Sequence, residues 1–555
     1  MITNLFPRPW FRLDQLNSFI ILAIGLFFIL TILYSLRFMK GKEKLLRYYV
    51  CLILTAVASL GVVLADNLVL LLGLWGFLGL TLYLLISMGA DASGAVAKKT
   101  FIIVGGSDAL MMLGIGIIYA LSGTFQMHQI KLELNSALAV LAYICIALAC
   151  FAKAGAMPLH SWIPDCAEVA PVPVVAYLPA SLDKLLGIYL LARISLDLFV
   201  MNAAMNVFLM VVGAITIIAA VMMAMVQHNM KRLLGYHAVS QVGYMVLGIA
   251  TANPVGIAGG IFHMLNNAIY KACLFFTAGN VEHTTGTTDL DKLGGLSDSM
   301  PFTYICALIA SLSISGVPPF NGFFSKWMIY QGLISGLQVT GSRIQAIITV
   351  LCLVAAMFGS ALTLASFMKL LHAAFLGQRT SPQARKPKNE VYWTMWLPCI
   401  VLAALCVIFG VFAMQVPLKY FILPATGGVS FTGTWFAGPS TLLITIALGL
   451  GFLVIRFKGL KPLVRRDTVF TGGEAINFAE NKVSGTDFYL TVKEFRILRV
   501  IYRKAEAGLF DIYEQGKNLV FGIGKFLQYL HNGVLPTDLV WTLLGMIGLF
   551  FALMR

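Results

Sequence analysis

Residues 151–193 read FAKAGAMPLHSWIPDCAEVAPVPVVAYLPASLDKLLGIYLLAR, an apolar stretch that carries Lys153, Lys184 and, between them, Pro158. An ionisable group in the middle of a membrane span costs about 2.5–3.5 kcal/mol on insertion scales, so it is functional or paired by default. Proline removes a helix hydrogen bond and clashes with the preceding turn, so we expect the helix after Lys153 to be broken. Backbone groups freed at that depth need water or protein partners. The stretch therefore predicts a polar cavity inside a membrane protein.

The rest of the chain also has the composition of a membrane protein. Of its 555 residues, 59% are hydrophobic and 11% are charged, and the mean hydropathy is +0.87. Apolar runs of about twenty residues, long enough to cross a hydrocarbon core of about 30 Å, recur along most of the length. The predicted fold class is all-α and polytopic, with about 14 transmembrane helices. The predicted spans are 17–36, 47–65, 67–88, 100–121, 136–156, 172–194, 204–227, 236–251, 254–280, 302–336 (interrupted), 345–376, 394–415, 439–456 and 537–554.

The net charge of +15 is explained by membrane orientation better than by nucleic-acid binding. The basic residues stand in short clusters between apolar runs, and these clusters fall on every second connection. Basic residues mark the cytoplasmic loops of membrane proteins, so we place all five clusters on the cytoplasmic side and predict no nucleic-acid partner. The clusters are 37–47, 98–99, 231–232, 379–388 and 456–466.

The nine cysteines are scattered, mostly inside apolar runs. None forms a CxxC motif or stands at metal-ligand spacing from a histidine, which argues against a metal, haem or iron–sulfur site and against a disulfide framework. The sequence also offers no nucleophile–base pair. It therefore predicts no cofactor and no stand-alone enzyme.

The cytoplasmic placement of the basic clusters fixes the direction of each span. Two central groups of five spans, in 47–200 and 201–378, then cross the membrane in opposite directions. Transporters use such an inverted repeat to build a site near the middle of the membrane. In each repeat the fourth span carries a lysine near prolines: Lys153 precedes Met157–Pro158, and Lys326 follows Pro318–Pro319. We expect a broken helix and a polar cavity at both places.

Four further segments surround the two repeats. In 498–533 apolar clusters alternate with charged residues at helical spacing, which predicts an amphipathic helix along the membrane surface. The segments are an N-terminal transmembrane helix in 1–46, two transmembrane helices in 379–456, a cytoplasmic-side connection with the lateral amphipathic helix in 457–536, and a C-terminal transmembrane helix in 537–555.

Ionisable residues inside the apolar runs are candidates for an ion path. Lys153, Lys271 and Lys326 lie deepest, and two of them flank prolines, so we assign these three a function. Burial disfavours the charged form of a lysine and a nearby carboxylate favours it, so a lysine in this setting can load and release a proton. Histidine titrates near neutral pH without such help.

Other ionisable residues have structural interpretations that are at least as good. Lys369 and His372 lie about one turn from the cytoplasmic end of their span, where a side chain reaches the interface. Lys231 and Arg232 are interpreted as orientation signals, with entry of Lys231 into a cavity as the alternative. Asp183, beside Lys184, is either part of a local ion pair or a group that tunes the lysine.

Four stretches, in order across about residues 60–380, resemble the antiporter-type subunits of complex I, Mrp antiporters and membrane-bound energy-converting hydrogenases. Besides residues 151–193, they are QHNMKRLLGYHAVSQVGYM (227–245), GIFHMLNNAIYKACLFFTAG (260–279) and SGVPPFNGFFSK (315–326).

The resemblance implies a role for each deep ionisable residue. It implies that Lys153 and Lys326 are the broken-helix lysines of two half-channels and that Lys184 is the connecting group of the first. It also implies that His263 and Lys271 link the halves along a polar central axis.

The first repeat departs from the family pattern. The family normally has Trp-Glu in the third span, with the glutamate partnering the first lysine, whereas LWGFLG (74–79) places Gly76 at that position. Asp108, in VGGSDALMM, stands where the family often has an acidic residue. HAA is replaced by residues 179–181 (PAS), and the second histidine of HxxxH is replaced by Asn267. The partner charge then comes from a neighbouring protein of the complex, or the first half-channel works differently or not at all.

The C-terminal third resembles the tail of the large antiporter-like subunit of energy-converting nickel–iron hydrogenases. Its motifs are FTGGE (470–474), KVSGTDFY (482–489), KAEAGLFDIYEQGK (504–517) and LHNGVLPTDLVW (530–541). The resemblance implies a subunit that moves protons, with sodium as the alternative ion, in a multisubunit hydrogenase-type complex of a prokaryotic cytoplasmic membrane. Its expected partners are other membrane subunits, including antiporter-like ones, and peripheral hydrogenase and iron–sulfur subunits. Two alternatives stay open: a subunit of an Mrp-type sodium/proton antiporter, and a mainly structural brace.

Overall fold

The computed structural model describes residues 10–89, 92–339, 342–378, 389–426, 437–456 and 485–554. Within these ranges the chain is mostly helical, and its strands, β1 (Leu132–Glu133) and β2 (Phe199–Val200), are two residues long and pair in parallel. The basic residues predicted at 379–388 and 457–466 lie outside the described ranges, as does the first part of the predicted 457–536 connection.

The α-helices follow one another with short connections. They are α1 (Gln15–Phe38), α2 (Leu45–Leu64), α3 (Leu68–Ile86), α4 (Ser93–Ser122), α5 (Ala137–Ala154), α6 (Trp162–Val169), α7 (Val172–Tyr177), α8 (Asp183–Arg193), α9 (Ala203–Met225), α10 (Met230–Ala250), α11 (Pro254–Thr285), α12 (Pro301–Ser315), α13 (Asn321–Val339), α14 (Arg343–Leu371), α15 (Trp393–Val411), α16 (Leu423–Thr426), α17 (Ala437–Arg456), α18 (Leu490–Glu494), α19 (Arg496–Glu506), α20 (Ile512–Leu530) and α21 (Leu535–Leu553).

Wider and tighter helical turns extend several of these helices. The π-helical turns are Leu178–Leu182, Ile194–Leu198, His372–Leu376 and Met414–Ile422. The 3₁₀ turns are Met127–Gln129, Leu290–Lys292 and Gly485–Tyr489.

Eleven helical segments in the described part are long and apolar enough to cross a membrane. The other three predicted spans are helical as well. The span at 254–280 is α11, which carries many polar residues; the span at 302–336 is divided between α12 and α13; and the span at 439–456 is α17. The prediction of an all-α, multi-pass membrane protein is therefore confirmed.

The described chain forms two compact units, Met1–Lys493 and Glu494–Arg555. At the centre of the first unit lie α7–α8, α10 and α11. The most apolar 18 residues of Val172–Leu198 and of α10 are entirely buried in protein, and α11 is buried along most of its length. In Arg343–Leu376, by contrast, only 28% of the most apolar 18 residues are buried. The polar residues that these central helices carry are therefore shielded from lipid.

Both predicted helix breaks are present, and the same local pattern makes them. Gly155 directly follows the last residue of α5 and Gly316 that of α12, with φ angles of 85° and 80°. Glycine adopts this left-handed conformation without steric cost, so it is suited to end a helix. Three residues after each glycine stands a proline with a cis peptide bond before it. The last carbonyl groups of α5 and α12 have no helical partner and can accept hydrogen bonds from side chains.

The second unit, Glu494–Arg555, contains α19, α20 and α21. The lateral helix predicted at 498–533 consists of two helices. Gly508, with a φ of 76°, lies between them, and the Asp511 side chain accepts a hydrogen bond from the Tyr513 N–H at the start of α20.

Candidate ion pathway

Lys153 lies in the last turn of α5, immediately before the first helix break. Its side chain is not exposed to solvent, and its Nζ is 3.8 Å from Asp183 Oδ1 on α8. The same ammonium lies 5.4 Å from the centroid of the Trp75 ring, within the range of a cation–π contact. Asp183 thus supplies the nearest opposite charge to the first of the predicted lysines.

The carboxylate of Asp108 reaches the same region from α4. A Cβ atom added to either Gly76 or Gly79 on α3 would lie 3.8 Å from Asp108 Oδ2, an ordinary contact distance, so both glycines face this carboxylate. Asp108 is close enough to interact electrostatically with Lys153 and with the Trp75 indole N–H. A carboxylate is therefore present near Lys153 although Gly76 provides none.

Lys184 spans the gap between α8 and the first break. Its Nζ donates a hydrogen bond to the Ala154 carbonyl oxygen at 3.0 Å, and its side chain is fully buried. Ala154 is the last residue of α5, so its carbonyl group has no partner inside that helix. Lys184 therefore stabilises the broken end of α5 while remaining within electrostatic reach of Asp183.

Lys271 lies on α11, at the centre of the first unit. Its Nζ donates to the Leu234 carbonyl oxygen on α10 at 2.8 Å, and its side chain is fully buried. It is close enough to Lys184 for the two charges to interact. One positive charge on either lysine disfavours a second on the other.

His263, two turns before Lys271 on α11, lies within a network of buried polar side chains. Its Nδ1 is 2.8 Å from Ser325 Oγ, and its Nε2 is 3.1 Å from Gln241 Oε1 and 3.3 Å from the Tyr270 hydroxyl oxygen. Each ring nitrogen therefore has a group with which it can exchange a proton or a hydrogen bond.

Lys326 stands on α13, just beyond the second break. Its Nζ donates to the Ile314 carbonyl oxygen at 2.8 Å and to Ser360 Oγ at 2.9 Å. The Tyr330 hydroxyl lies 2.9 Å from Ser360 Oγ, and the Tyr244 ring centroid is 4.5 Å from the ammonium. Lys326 thus binds a carbonyl at the end of α12, as Lys184 binds one at the end of α5.

These side chains form one row through the first unit, and we call it the central row. All six residues predicted from the sequence belong to it, and each member interacts electrostatically with at least one other member. In order, the central row is Asp108, Lys153, Asp183, Lys184, Lys271, Lys326 and His263; His237 lies beside it and interacts with both Lys271 and Lys326.

Negative charge is concentrated at one end of the central row. Lys153 has the carboxylates of Asp183 and Asp108 as neighbours, whereas the groups that contact the Lys326 ammonium within the described residues are neutral: a carbonyl, a hydroxyl and an aromatic ring. The two broken-helix lysines therefore sit in different electrostatic surroundings.

Sequence reasoning missed His237 and left Asp183 open. His237 is fully buried on α10 and interacts electrostatically with Lys271 and Lys326. It is the second residue of the predicted span 236–251, whereas His263 lies well inside the predicted span 254–280, so the signal that identified His263 was weaker for His237. Gln241 and Ser360 were missed because neutral polar residues are common in buried helices.

Lys369 and Lys231 have structural contacts of their own. Lys369 is buried, and its Nζ donates to the carbonyl oxygens of Met225 at 2.7 Å and Gln227 at 2.8 Å, at the end of α9. Lys231 Nζ lies 3.1 Å from Glu282 Oε1. We expected the Lys369 side chain to reach the membrane interface. Instead it is buried, because the end of α9 offers it carbonyl acceptors inside the protein.

Comparisons with known proteins show the family to which the chain is related. The model of the family described as "NADH:quinone oxidoreductase/Mrp antiporter, TM" matches residues 65–352. One Na(+)/H(+) antiporter subunit of Staphylococcus haemolyticus is 32% identical over 478 residues, which cover 80% of this chain and 58% of that protein. One Na(+)/H(+) antiporter subunit of Bacillus subtilis is 35% identical over 398 residues, which cover 68% of this chain and 49% of that protein. The chain thus spans about half the length of these relatives.

A solved structure shares the fold over nearly the whole chain. It is that of the membrane-bound sulfane sulfur reductase, an archaeal respiratory membrane complex, with a TM-score of 0.78 and 23% identity. The match covers 98% of this chain and 89% of the chain in that complex.

Proposed function

Because this chain belongs to the NADH:quinone oxidoreductase/Mrp antiporter transmembrane family, we propose that it moves protons across a membrane along the central row. The observation that carries this proposal is the row itself. Lys153, Lys184, Lys271 and Lys326 are buried at the ends or in the middle of apolar helices, where a charge without a function is expensive.

The proposed cycle passes a charge change along the central row. When the Lys153–Asp183 pair gains or loses a proton, the charge that Lys184 experiences changes, and Lys271 responds in turn. Two unit charges about 10 Å apart interact by about 1.7 kcal/mol at an effective dielectric near 20, equivalent to about one pKa unit. Each step is large enough to move a proton at the next group, and none is large enough to act across the whole membrane.

The hydrogen bonds of the lysines support exchange between their protonated and deprotonated states. Lys184, Lys271 and Lys326 each donate to a backbone carbonyl, which stabilises the ammonium without neutralising it. A lysine held in this way can lose its proton without leaving a carboxylate uncompensated. His263, with a partner at each ring nitrogen, can relay the proton near Lys326.

We propose that the chain works in a multisubunit antiporter complex of the Mrp type, exchanging protons for sodium. Relatives named as Na(+)/H(+) antiporter subunits cover most of this chain, and they favour this assembly over the hydrogenase-type complex that the tail motifs suggest. The partners are then other membrane subunits of that complex.

A second candidate is a redox-driven complex in which peripheral subunits perform the electron transfer. It is supported by the fold match to a chain of a respiratory membrane complex, which spans 98% of the chain and includes the C-terminal helices. An affinity tag on this chain, followed by mass spectrometry and metal analysis of the isolated complex, separates the two. Stoichiometric iron or nickel in the complex supports the redox assembly; antiporter subunits without these metals support the Mrp type.

The experiment that tests ion movement is the Lys326→Ala variant in the isolated complex, reconstituted into vesicles. We expect proton movement, followed by a pH-sensitive dye with and without a sodium gradient, to fall at least tenfold. Lys131→Ala, at an exposed position, is the matched control and should leave it unchanged. Full transport by an intact Lys326→Ala complex would leave only the interpretation of the chain as a structural brace.

A further inference from the structure

His237 occupies a branching position beside the central row. The side chain is fully buried on α10, and its Nε2 lies 2.8 Å from Ser366 Oγ on α14. Within the described part of the chain its Nδ1 has no hydrogen-bond partner. A buried imidazole that served packing alone would be expected to have both nitrogens satisfied.

Toward the centre of the protein, His237 adjoins Lys271. The rings of His237 and Phe367 are 4.7 Å apart, and the Lys271 ammonium lies 5.7 Å from the centroid of the same Phe367 ring. Lys271 donates its hydrogen bond to the carbonyl group of Leu234, which lies one turn before His237 on α10. Lys271 and His237 therefore share one small region between α10, α11 and α14.

In the other direction, His237 contacts Ser366 on α14, the helix that also carries Lys369. Ser366 stands one turn before Lys369 on α14, and the Lys369 ammonium binds the carbonyl oxygens of Met225 and Gln227. The next residue along the chain is His228, whose Nδ1 lies 2.8 Å from Asp291 Oδ2. The Asp291 carboxylate is within electrostatic reach of Lys369, and the side chains of His228 and Asp291 are 54% and 41% exposed, so ionisable groups continue from the buried lysine to the protein surface.

We propose that His237, Ser366 and Lys369 form a lateral proton route between Lys271 and the surface at the α9–α10 connection. This proposal rests on the proposed function, because it supplies the central row with protons. The basic pair at 231–232 predicts that this surface is cytoplasmic. The three residues are called the lateral route below.

The chemistry of imidazole suits this position. A neutral imidazole carries a proton on one nitrogen and accepts one on the other, so it can take up a proton on one side and release the original proton on the other. The charged groups that act on His237 are Lys271, Lys326 and Lys369, which come from α11, α13 and α14. All three are cationic when protonated, so a change in the charge of any of them alters the electrostatic field at His237.

The test compares His237→Gln with the native protein in the isolated complex, reconstituted into vesicles. Glutamine keeps a hydrogen bond to Ser366 within reach and cannot carry a proton at neutral pH. We expect normal assembly and a loss of proton movement of at least tenfold. His531→Gln, at an exposed position in the second unit, is the matched control. His237→Gln transport within twofold of the native rate would overturn the lateral route.

Chemical rescue separates a proton carrier from a structural residue. In the His237→Ala complex we expect added imidazole to restore part of the transport, because it can enter the space left by the ring and exchange protons there. It should not restore Lys326→Ala. If His237→Gln does not assemble, Ser366→Ala decides the matter, since it retains the imidazole and breaks its link; an unchanged rate in that variant overturns the proposal.

The outcome distinguishes this proposal from the proposed function. If Lys326→Ala stops proton movement and His237→Gln does not, the central row operates without the lateral route. If Lys326→Ala pumps fully, the proposed function itself fails.

Discussion

Lys153 Nζ lies 3.8 Å from Asp183 Oδ1, and neither side chain is more than 1% exposed. The separation is longer than a hydrogen bond, so the two charges attract each other without being fixed by one. Such a pair lowers the free energy of both charges in the protein interior, and a proton added to the carboxylate weakens it at once. Lys326 has neutral partners instead, so the two ends of the central row respond differently to the same proton.

Removing the Asp183 charge should damage both stability and transport. Loss of one partner of a buried ion pair costs about 3–5 kcal/mol, because it leaves the other charge uncompensated. We expect Asp183→Asn to lower the thermal midpoint of the isolated complex, measured by tryptophan fluorescence, and to reduce proton movement at least tenfold.

The double variant Lys153→Met with Asp183→Asn is the control for that experiment. It places no charge at either position, so the thermal midpoint should recover toward the native value while transport stays low. Recovery of transport as well would mean that the pair stabilises the protein without taking part in proton movement.

The carboxylate near Lys153 should be transferable from α4 to α3. Gly76 faces Asp108, so Gly76→Glu alone brings two carboxylates together, and like charges at such a distance disfavour each other's ionised form. We expect Gly76→Glu and Asp108→Ala each to lower proton movement severalfold. The double variant should transport protons faster than either single variant. If its rate is instead reduced by the product of the two single-variant reductions, the carboxylate is not transferable.

A smaller effect is expected at the second end of the central row. Ser360 Oγ accepts a hydrogen bond from Lys326 Nζ and contacts the Tyr330 hydroxyl, while the Ile314 carbonyl remains as a second acceptor for the lysine. Loss of one such bond costs about 1 kcal/mol, or about fivefold in a rate. Ser360→Ala should therefore slow proton movement about two- to tenfold, with Ser18→Ala, exposed on α1, unchanged. A loss as complete as that of Lys326→Ala would assign Ser360 a direct part in proton transfer.

The fold was largely predictable because the bilayer restricts it. Long apolar runs have to be helices, so all fourteen predicted spans correspond to helices, and the prolines after Lys153 and before Lys326 indicated both breaks. The division of the surface helix at Gly508 was less clear, since glycine weakens a helix without always ending it.

The pairing of side chains was not predictable, because it depends on which faces of the helices meet. Asp183 and Lys184 are adjacent in sequence, yet neighbours on a helix point in different directions. Asp183 therefore meets Lys153, and Lys184 meets the Ala154 carbonyl. Likewise, nothing in the spacing of Gly76 and Asp108 indicated that these two residues face each other.

The glycine that ends α12 should be essential to the position of Lys326. Gly316 has a φ of 80°, where a residue with a Cβ costs about 1–2 kcal/mol, and an added Cβ would lie 3.1 Å from Lys326 Cδ. We expect Gly316→Ala to lower the thermal midpoint of the isolated complex and to reduce proton movement, because the lysine has to shift away from the Ile314 carbonyl. Gly73→Ala, inside α3 with no atom within 4 Å of the new Cβ, is the matched control and should leave both unchanged or raise the midpoint slightly. Equal midpoints for the two variants would show that the break tolerates a side chain, and that the placement of Lys326 does not depend on Gly316.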